Sequence, residues 1–245
     1  MTTRRILRLS GDDTKSFLQG LITSDIAKLP KGLIYTALLT PQGKYIADFF
    51  LAPDGDAVLL DVAEPLADAL EKRLAMYRLR ADVAIAPSGL NLQRGTGDAP
   101  AGAWRDPRHA DMGWRAYTAA PETDDGTDWD AIRVAHCIPE TGIELTPDTF
   151  ILEAGFEALN GVDFRKGCYV GQEVTARMKH KTELRKGLRV VDVTGTAPVG
   201  TPITANDKPV GTLFTQSGGR AIAYLRLDRA GNDMQAGDAI VRLTT

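Results

Sequence analysis

The most constraining feature of this sequence is a change of pattern near Leu184. Beyond it, the chain breaks into short strand-forming runs separated by glycine, proline and aspartate turns, namely Leu188–Val193, Pro202–Thr204, Pro209–Thr215, Arg220–Leu225 and Ala239–Leu243. Short strands with such turns are typical of a small β-barrel or sandwich. The sequence therefore predicts an all-β module over residues 184–245, after an α+β region over residues 1–183.

The region before that module mixes strand and helix patterns. Two apolar runs, Leu33–Leu39 and Tyr45–Leu51, flank a Thr-Pro-Gln-Gly-Lys turn, which predicts a β-hairpin. A third run, Ala57–Val62, extends the hairpin to a meander. The remaining predicted elements are a strand at Ile6–Leu9, helices at Asp12–Leu21, Pro65–Leu79 and Trp129–His136, a strand at Val83–Ala86, and a loop-rich stretch at Pro87–Gly113.

Composition excludes several classes of protein. The 245 residues include only two cysteines, Cys137 and Cys168, and no C-x-x-C pair, so neither a disulfide scaffold nor a structural metal site is expected. No apolar run approaches the length that spans a bilayer, so no membrane partner is expected. The few cysteines and the lack of a secretory pattern at the N-terminus favour a cytoplasmic protein.

Positive charge is concentrated in one segment. The net charge of the chain is −3, but Asp163–Arg189 carries +5. Its eight bases are Arg165, Lys166, Arg177, Lys179, Lys181, Arg185, Lys186 and Arg189, against the acids Asp163, Glu173 and Glu183. Eight bases can contact phosphates, which makes tRNA one hypothesis for a partner. The segment lacks the aromatic spacing of single-strand platforms, so this hypothesis is the least favoured.

One of the two cysteines lies in that segment, in a pattern that suggests chemistry. Gly167 and Gly171 flank Cys168, and Gln172–Arg177 consists of good helix formers. A thiol just before a helix N-terminus and beside basic residues is favoured as a thiolate. The alternative is that Cys168 is a buried small hydrophobe, as free cysteines often are. Sequence chemistry alone leaves both interpretations open.

The segment Lys166-Gly-Cys-Tyr-Val-Gly-Gln-Glu173, followed by Arg177, resembles the signature of the YgfZ family of folate-binding proteins. These proteins are relatives of the glycine cleavage system T protein, an aminomethyltransferase. Five segments that precede this motif in the chain also resemble family landmarks, in the expected order: Phe17–Asp25, Pro41–Lys44, Tyr77–Asp82, Asp106–Arg108 and Gly155–Gly161. The resemblance covers most of the chain, and the cysteine motif is its specific part.

The resemblance implies a fold and a function. It implies two interleaved N-terminal α+β subdomains in a ring-like arrangement, a C-terminal β-barrel, and a tetrahydrofolate site in the central channel. Members of the family assist the assembly or maintenance of iron–sulfur clusters, notably [4Fe–4S] clusters, and some are linked to tRNA modification. The motif cysteine of the family matches Cys168, and its motif lysine matches Lys166.

Folate has an aromatic pterin ring and an anionic glutamate tail, so its site needs a polar pocket and a basic approach. Gln172 and Glu173 offer groups that pair with pterin nitrogens, and Lys166 or Arg177 offers a cation for the carboxylates. With Tyr169, these four residues are the candidate cofactor-binding set. Cys168 is the candidate functional thiol, and no metal ligand is assigned.

A transferase is the alternative function. T proteins carry paired acids in the strand after the hairpin, whereas Tyr45-Ile-Ala-Asp48 retains only one acid. The missing acid disfavours aminomethyltransferase activity, although Asp48 remains a candidate for a hydrogen bond to the pterin. The competing interpretation, slightly favoured, places Asp48 on an exposed face of the hairpin.

The leading hypothesis is thus a folate-binding accessory protein for [4Fe–4S] clusters. Its expected partners are folate and either iron–sulfur assembly factors or client [4Fe–4S] enzymes. The first alternative is a tetrahydrofolate-dependent aminomethyl or other one-carbon transferase, and the second is a tRNA-binding module. The expected compartment is the cytoplasm, or the mitochondrial matrix for a eukaryotic relative.

Overall fold

The computed structural model describes residues 3–180 and 184–244. Backbone contacts divide them into two compact units: residues 3–127 with Phe156–Ala176, and Asp128–Gly155 with the described residues after Ala176. Lys181 of the basic segment and Glu183, the last residue of the predicted N-terminal region, lie outside the described residues. No helix within the two described ranges is long and apolar enough to cross a membrane.

A five-stranded antiparallel sheet is the main layer of the first unit. Its order is β2-β3-β4-β1-β5. The strands are β1 (Arg4–Ser10), β2 (Ile34–Leu39), β3 (Tyr45–Asp54), β4 (Ala57–Ala63) and β5 (Ala84–Pro87). Leu38 pairs with Ala47 in the hairpin, and Leu51 pairs with Leu60 in the next ladder. The predicted hairpin and meander are confirmed.

Helix α1 (Thr14–Gln19) is shorter than the predicted Asp12–Leu21. At its start, Gly11 adopts φ +118°, and a Cβ there would lie 2.2 Å from the Asp82 carbonyl oxygen. Because the backbone at Gly11 is held against Asp82, the helix begins only at Thr14. At the other end, the main-chain amides of Leu21 and Ile22 both donate to the carbonyl of Leu18, which tightens and ends the helix.

Helix α2 (Glu64–Arg78) covers the sheet. Its second residue is Pro65, whose missing N–H costs nothing in the first turn of a helix. Ala67, Leu70 and Leu74 recur at helical spacing and are buried in the sheet's core cluster. Each fully buried leucine contributes about 1.5–3 kcal/mol, which explains why the apolar period predicts this helix well.

A second, three-stranded sheet occupies the stretch predicted to be loop-rich. Its order is β6-β8-β7, with β6 (Asn91–Gly95), β7 (Trp104–Arg105) and β8 (Trp114–Thr118). The prediction of a loop-rich Pro87–Gly113 was therefore wrong for β6 and β7. Both strands are short, and β6 is mostly polar, so their stability depends on cross-strand partners such as Ala116 opposite Gln93.

The second unit contains a closed six-stranded barrel. Its strands are β9 (Lys186–Thr194), β10 (Pro202–Ala205), β11 (Lys208–Ser217), β12 (Arg220–Arg226), β13 (Met234–Ala236) and β14 (Ala239–Leu243), in the order β10-β11-β12-β9-β14-β13. Closure comes from the pairing of Ile203 with Ala236. The predicted all-β module is confirmed, but β13, which has only three residues, was not predicted.

The two remaining helices are α3 (Trp129–Ala135) and α4 (Gln172–His180). Arg133 fastens α3 within the second unit. Its guanidinium is buried, and its Nη2 lies 2.6 Å from Glu144 Oε2. Glu144 Oε1 in turn accepts a 2.6 Å hydrogen bond from the Thr215 hydroxyl on the barrel. A buried ion pair with such additional bonds fixes the helix to β11.

Candidate functional site

The cysteine motif lies on a loop whose first anchor is Asp163. The main-chain amide of Asp163 donates to the carbonyl of Thr23 at 2.9 Å, and its Oδ2 pairs with Lys28 Nζ at 2.6 Å. Its Oδ1 accepts from the amide of Arg165 at 2.8 Å. The hydrogen bond from Lys28 lowers the pKa of Asp163, so the carboxylate stays charged and the anchor holds at neutral pH.

Lys166 is the second anchor. Its side chain is buried, and its Nζ donates to the carbonyl oxygens of Gln19, at 2.6 Å, and Ile22. These carbonyls lie at the end of α1, where a helix has unpaired acceptors that a cation satisfies. Burial lowers the pKa of Lys166 to about 8, against the opposing effect of Asp25 and Asp163. Lys166 therefore points into the fold, rather than outward as a ligand for folate carboxylates would.

Tyr169 and Gly171 hold the other side of the loop. The Tyr169 ring is buried, and Lys166 Nζ lies 4.9 Å from its centroid, in cation–π contact. Gly171 adopts φ +85°, and a Cβ there would lie 2.7 Å from the Thr40 carbonyl oxygen. Gly43 of the β2–β3 turn faces it just as closely, since a Cβ on Gly171 would lie 3.2 Å from Gly43 Cα. Two glycines thus let the loop dock on the hairpin turn.

Between these anchors, the chain emerges at the surface. Gly167 and Cys168 are both exposed, whereas Lys166 before them and Tyr169 after them are buried. The interpretation of Cys168 as a buried packing residue is therefore wrong. The anchored loop presents a thiol to the outside while fixing the backbone on both sides of it.

Helix α4 begins four residues after Cys168, as predicted. Gln172 is half-buried at its first position, and Glu173 in its first turn is exposed. A carboxylate in the first turn interacts favourably with the helix dipole. Arg177 follows one turn later and is also exposed. The loop and the first residues of α4 thus bring together five of the candidate residues: Cys168, Gln172 and Glu173 at or near the surface, and Lys166 and Tyr169 turned inward. Arg177 belongs to the second unit.

Asp48 is held separately, inside its own hairpin. The carboxylate is buried, with Oδ1 accepting from the Tyr45 hydroxyl at 2.6 Å and Oδ2 from the Tyr35 hydroxyl at 3.0 Å. The interpretation that placed Asp48 on an exposed face is wrong, because β3 is covered at this point. Burial, together with the negative charge of Asp48, raises the pKa of Tyr35, so the hydroxyl remains a donor to the carboxylate.

A cluster of buried arginines lies next to Tyr35, one of the two tyrosines that bond Asp48. This cluster was not predicted from the sequence. Arg108 pairs with Asp106 at 2.8 Å, and its guanidinium lies 5.5 Å from the Tyr35 ring centroid. Arg115 pairs with Asp61 at 2.6 Å and lies 4.0 Å from the Phe50 centroid. The landmark Asp106-Pro-Arg108 was the available signal, but Tyr35, Phe50 and Asp61, which complete the cluster, are distant in sequence.

Comparisons with known proteins place this chain in a family. A family model for the CAF17 C-terminal β-barrel domain matches residues 185–245. The human iron–sulfur cluster assembly factor IBA57, mitochondrial, is 32% identical over 91% of this chain and 75% of its own length. The chain belongs to the IBA57 family. An IBA57 homologue from Pyricularia oryzae is 31% identical over 76% of this chain, but the match covers only 54% of that protein.

A solved structure agrees with the predicted fold. Glycine cleavage system aminomethyltransferase T from Bartonella henselae matches 98% of this chain and 83% of its own, with a TM-score of 0.77 at 14% identity. The predicted T-protein-like fold with a C-terminal barrel is confirmed. Of the predicted resemblance, membership in an iron–sulfur assembly family is confirmed, and the family that the comparisons name is IBA57. The IBA57 relatives carry "mitochondrial" in their names.

Proposed function

We propose that this chain is an accessory protein for the assembly or maintenance of [4Fe–4S] clusters and that Cys168 is its functional thiol. The observation that carries the proposal is the position of Cys168 in a chain of the IBA57 family. The thiol is exposed on a loop that Lys166 and Tyr169 anchor from both sides. An accessible thiol on a fixed backbone can bind a soft metal centre without reordering the loop.

The cluster in this proposal is cargo rather than a resident group. Cysteine thiolates are the usual ligands of iron–sulfur clusters, and four are needed for a [4Fe–4S] centre. The motif supplies one. The other cysteine, Cys137, is half-buried, and burial raises its pKa to about 11. The remaining ligands would therefore come from a partner protein or from a small thiol such as glutathione.

Tetrahydrofolate binding is the second part of the proposal, and the chemistry of the surface residues fits it. The amide of Gln172 and the carboxylate of Glu173 suit the hydrogen-bonding edge of a pterin, and the Arg177 guanidinium suits the glutamate tail. When bound, tetrahydrofolate would supply a carrier for one-carbon units. Lys166 and Tyr169 are turned inward, so we assign them to the support of the loop instead of direct contact with folate.

Rescue of a gene deletion tests the first part. Cells that lack the gene should lose activity of several [4Fe–4S] enzymes, and the wild-type chain should restore it. Cys168→Ser should fail to restore it, whereas Cys137→Ser should succeed. Equal rescue by Cys168→Ser would refute the role of the thiol, and unchanged enzyme activities in the deletion strain would refute the function.

Calorimetry tests the second part. Tetrahydrofolate should bind the wild-type chain, and Glu173→Gln should weaken binding at least fivefold, while the exposed Lys15→Gln on α1 serves as the control. Absence of binding to the wild-type chain would refute the folate assignment without affecting the cluster proposal.

The fold likeness to an aminomethyltransferase supports one-carbon transfer as a second candidate. Asp48 is the only acid left in β3 before Asp54, and both of its oxygens are already bonded to tyrosines. Turnover of a methylamine donor on a lipoyl carrier with tetrahydrofolate, lost in Asp48→Asn, would establish this activity. No product with both substrates present would exclude it.

Two further assignments are proposed from the sequence and from the family. The basic segment would bind tRNA with an affinity that falls steeply with salt, and flat binding between low and moderate salt would exclude this role. The proposed compartment is the cytoplasm, or the mitochondrial matrix for a eukaryotic relative, and fractionation of the native host would test it.

A further inference from the structure

Two large apolar side chains near the end of α2 are exposed. Leu79 is 87% exposed and Met76 is 70% exposed, more than any other large hydrophobic residue in the part of the chain that the structure describes. The next is Val199, at 56%. Met76 lies in the last turn of α2, and Leu79 is the first residue after the helix. Single exposed hydrophobic residues are ordinary, but two large ones within four positions suggest a contact surface.

The backbone holds Leu79 in this position. Leu79 adopts φ 47° and ψ −104°, in the region of positive φ that favours glycine at a helix end. The bend is fixed by a 3.0 Å hydrogen bond from Arg78 Nη1 to the Val83 carbonyl and by a 2.8 Å bond from the Ala81 amide to the Arg78 carbonyl. A leucine at positive φ strains the backbone, and here its side chain stays exposed, so no burial offsets the strain. Burial against a second molecule would offset it.

The two apolar side chains are surrounded by positive charge. Residues 72–80 contain four bases and no acid: Lys72, Arg73, Arg78 and Arg80. All four are exposed, and Arg78 also donates to the Val83 carbonyl. We call Arg73, Met76, Leu79 and Arg80 the Leu79 patch. It has an apolar centre and a basic rim, which is the complement of an apolar pocket edged by carboxylates.

We propose that the Leu79 patch docks an acidic protein partner, with Leu79 as the anchor that enters an apolar pocket and the arginines meeting carboxylates around it. The inference rests on the proposed function, which makes that partner an acidic iron–sulfur carrier protein. A preorganised anchor with a charged rim is the usual composition of a specific protein contact.

The composition of the patch favours a protein over other occupants. A membrane-binding helix presents a long apolar face, whereas the inner face of α2 is buried, and Met76 and Leu79 are the two large apolar side chains exposed in and just after this helix. A single-stranded nucleic acid would need exposed aromatic rings for stacking, and Tyr77, the one aromatic residue nearby, is half-buried against the core.

Titration of the full chain with purified iron–sulfur carrier proteins of the same host tests the proposal. Leu79→Gly removes the anchoring side chain, so it should weaken binding at least tenfold. Because glycine adopts positive φ without strain, the midpoint of urea unfolding should stay equal or rise. The double variant Arg73→Glu, Arg80→Glu should weaken binding similarly and reduce its salt dependence. Val199→Ala, the matched exposed control, should change affinity less than twofold.

Several outcomes would overturn the inference. These are unchanged affinity in Leu79→Gly, no binding of any carrier to the wild-type chain, Leu79-dependent binding to vesicles of phosphatidylcholine and phosphatidylglycerol, or Leu79-dependent self-association. Rescue of the deletion strain distinguishes failure of the docking inference from failure of the proposed function. Full rescue by both wild type and Leu79→Gly removes the docking role alone, whereas no rescue by the wild type removes the function itself.

Discussion

Lys166 Nζ donates to the carbonyl oxygen of Gln19 across 2.6 Å, joining the motif loop to the end of α1 over 147 residues of sequence. A second bond from the same nitrogen reaches the Ile22 carbonyl. The lysine thereby satisfies helix-end acceptors that water would otherwise bind. Since Cys168 is two residues away, the position of the thiol depends on a helix formed by the N-terminal part of the chain.

Lys166→Met tests this connection. The variant keeps the length of the side chain but leaves the Gln19 and Ile22 carbonyls without their donor, which should cost about 1–3 kcal/mol of unfolding free energy. Urea denaturation followed by circular dichroism measures it. Lys15→Met, on the exposed side of α1, should cost less than about 0.5 kcal/mol. Equal stability of the two variants would contradict the anchor.

The pH dependence of stability should carry the signature of Lys166. Its pKa is about 8 in the folded chain, below the unfolded value of about 10.4. Between these values the unfolded state binds more protons, so stability rises with pH, and below about 8 the burial of the charged lysine is a constant cost. The difference between wild type and Lys166→Met, followed by urea denaturation from pH 7 to 10.5, should grow in favour of wild type. A flat difference would rule out the lowered pKa.

The two glycines that flank Cys168 should respond differently to alanine. Gly171 has φ +85°, and a Cβ would lie 2.7 Å from the Thr40 carbonyl oxygen, so Gly171→Ala should cost about 2 kcal/mol or more. A Cβ on Gly167 meets nothing within 4 Å, so Gly167→Ala should stay within about 0.5 kcal/mol. Urea unfolding compares them, and equal costs would contradict the docking of the loop on the hairpin turn.

Local patterns were enough to predict much of this fold. The meander, α2 and most barrel strands have apolar periods or turn residues that act over a few neighbours. The start of α4 at Gln172 followed from helix propensity in the same way. The elements that escaped, such as β7 with two residues and β13 with three, are too short to carry a period, and they exist because of their cross-strand partners.

The site was harder to predict, because side-chain direction depends on distant residues. The motif identified Lys166 as important, but its partners are backbone carbonyls of Gln19, the last residue of α1, and of Ile22, three residues beyond it. Asp48 was placed on an exposed face, because nothing near it in sequence shows that two tyrosine hydroxyls enclose it. Cys168 could be recognised as a candidate from its neighbours alone, since the flanking residues already suggested a turn before a helix.

The two cysteines should differ in reactivity. Cys168 is exposed, whereas burial raises the pKa of Cys137 to about 11 and shields it. At pH 8 only about one in a thousand Cys137 thiols would be ionised, so its alkylation by iodoacetamide should be at least tenfold slower. Mass spectrometry of the native chain measures both rates. Cys168→Ser should remove the fast phase entirely, and a fast phase that persists would reverse the assignment.

The arginine cluster behind Asp48 should make Asp61 essential for stability. Burial alone would raise the pKa of Asp61, but Arg4 and Arg115 outweigh it and lower the pKa to about 2. Asp61→Asn removes the buried carboxylate that the half-buried Arg4 and the buried Arg115 share, which should cost about 3–5 kcal/mol. Asp68→Asn, which breaks the solvent-exposed pair with Arg5, should cost far less, because water and salt screen surface charges. Because the folded pKa lies below the unfolded value of about 3.9, the contribution of Asp61 is present above that value and is lost as the pH falls toward 2. Urea denaturation from pH 7 to 3 measures how much unfolding free energy each variant loses relative to the wild type. The loss in Asp61→Asn should exceed the loss in Asp68→Asn most clearly at neutral pH. A small loss in Asp61→Asn at neutral pH would contradict the buried network.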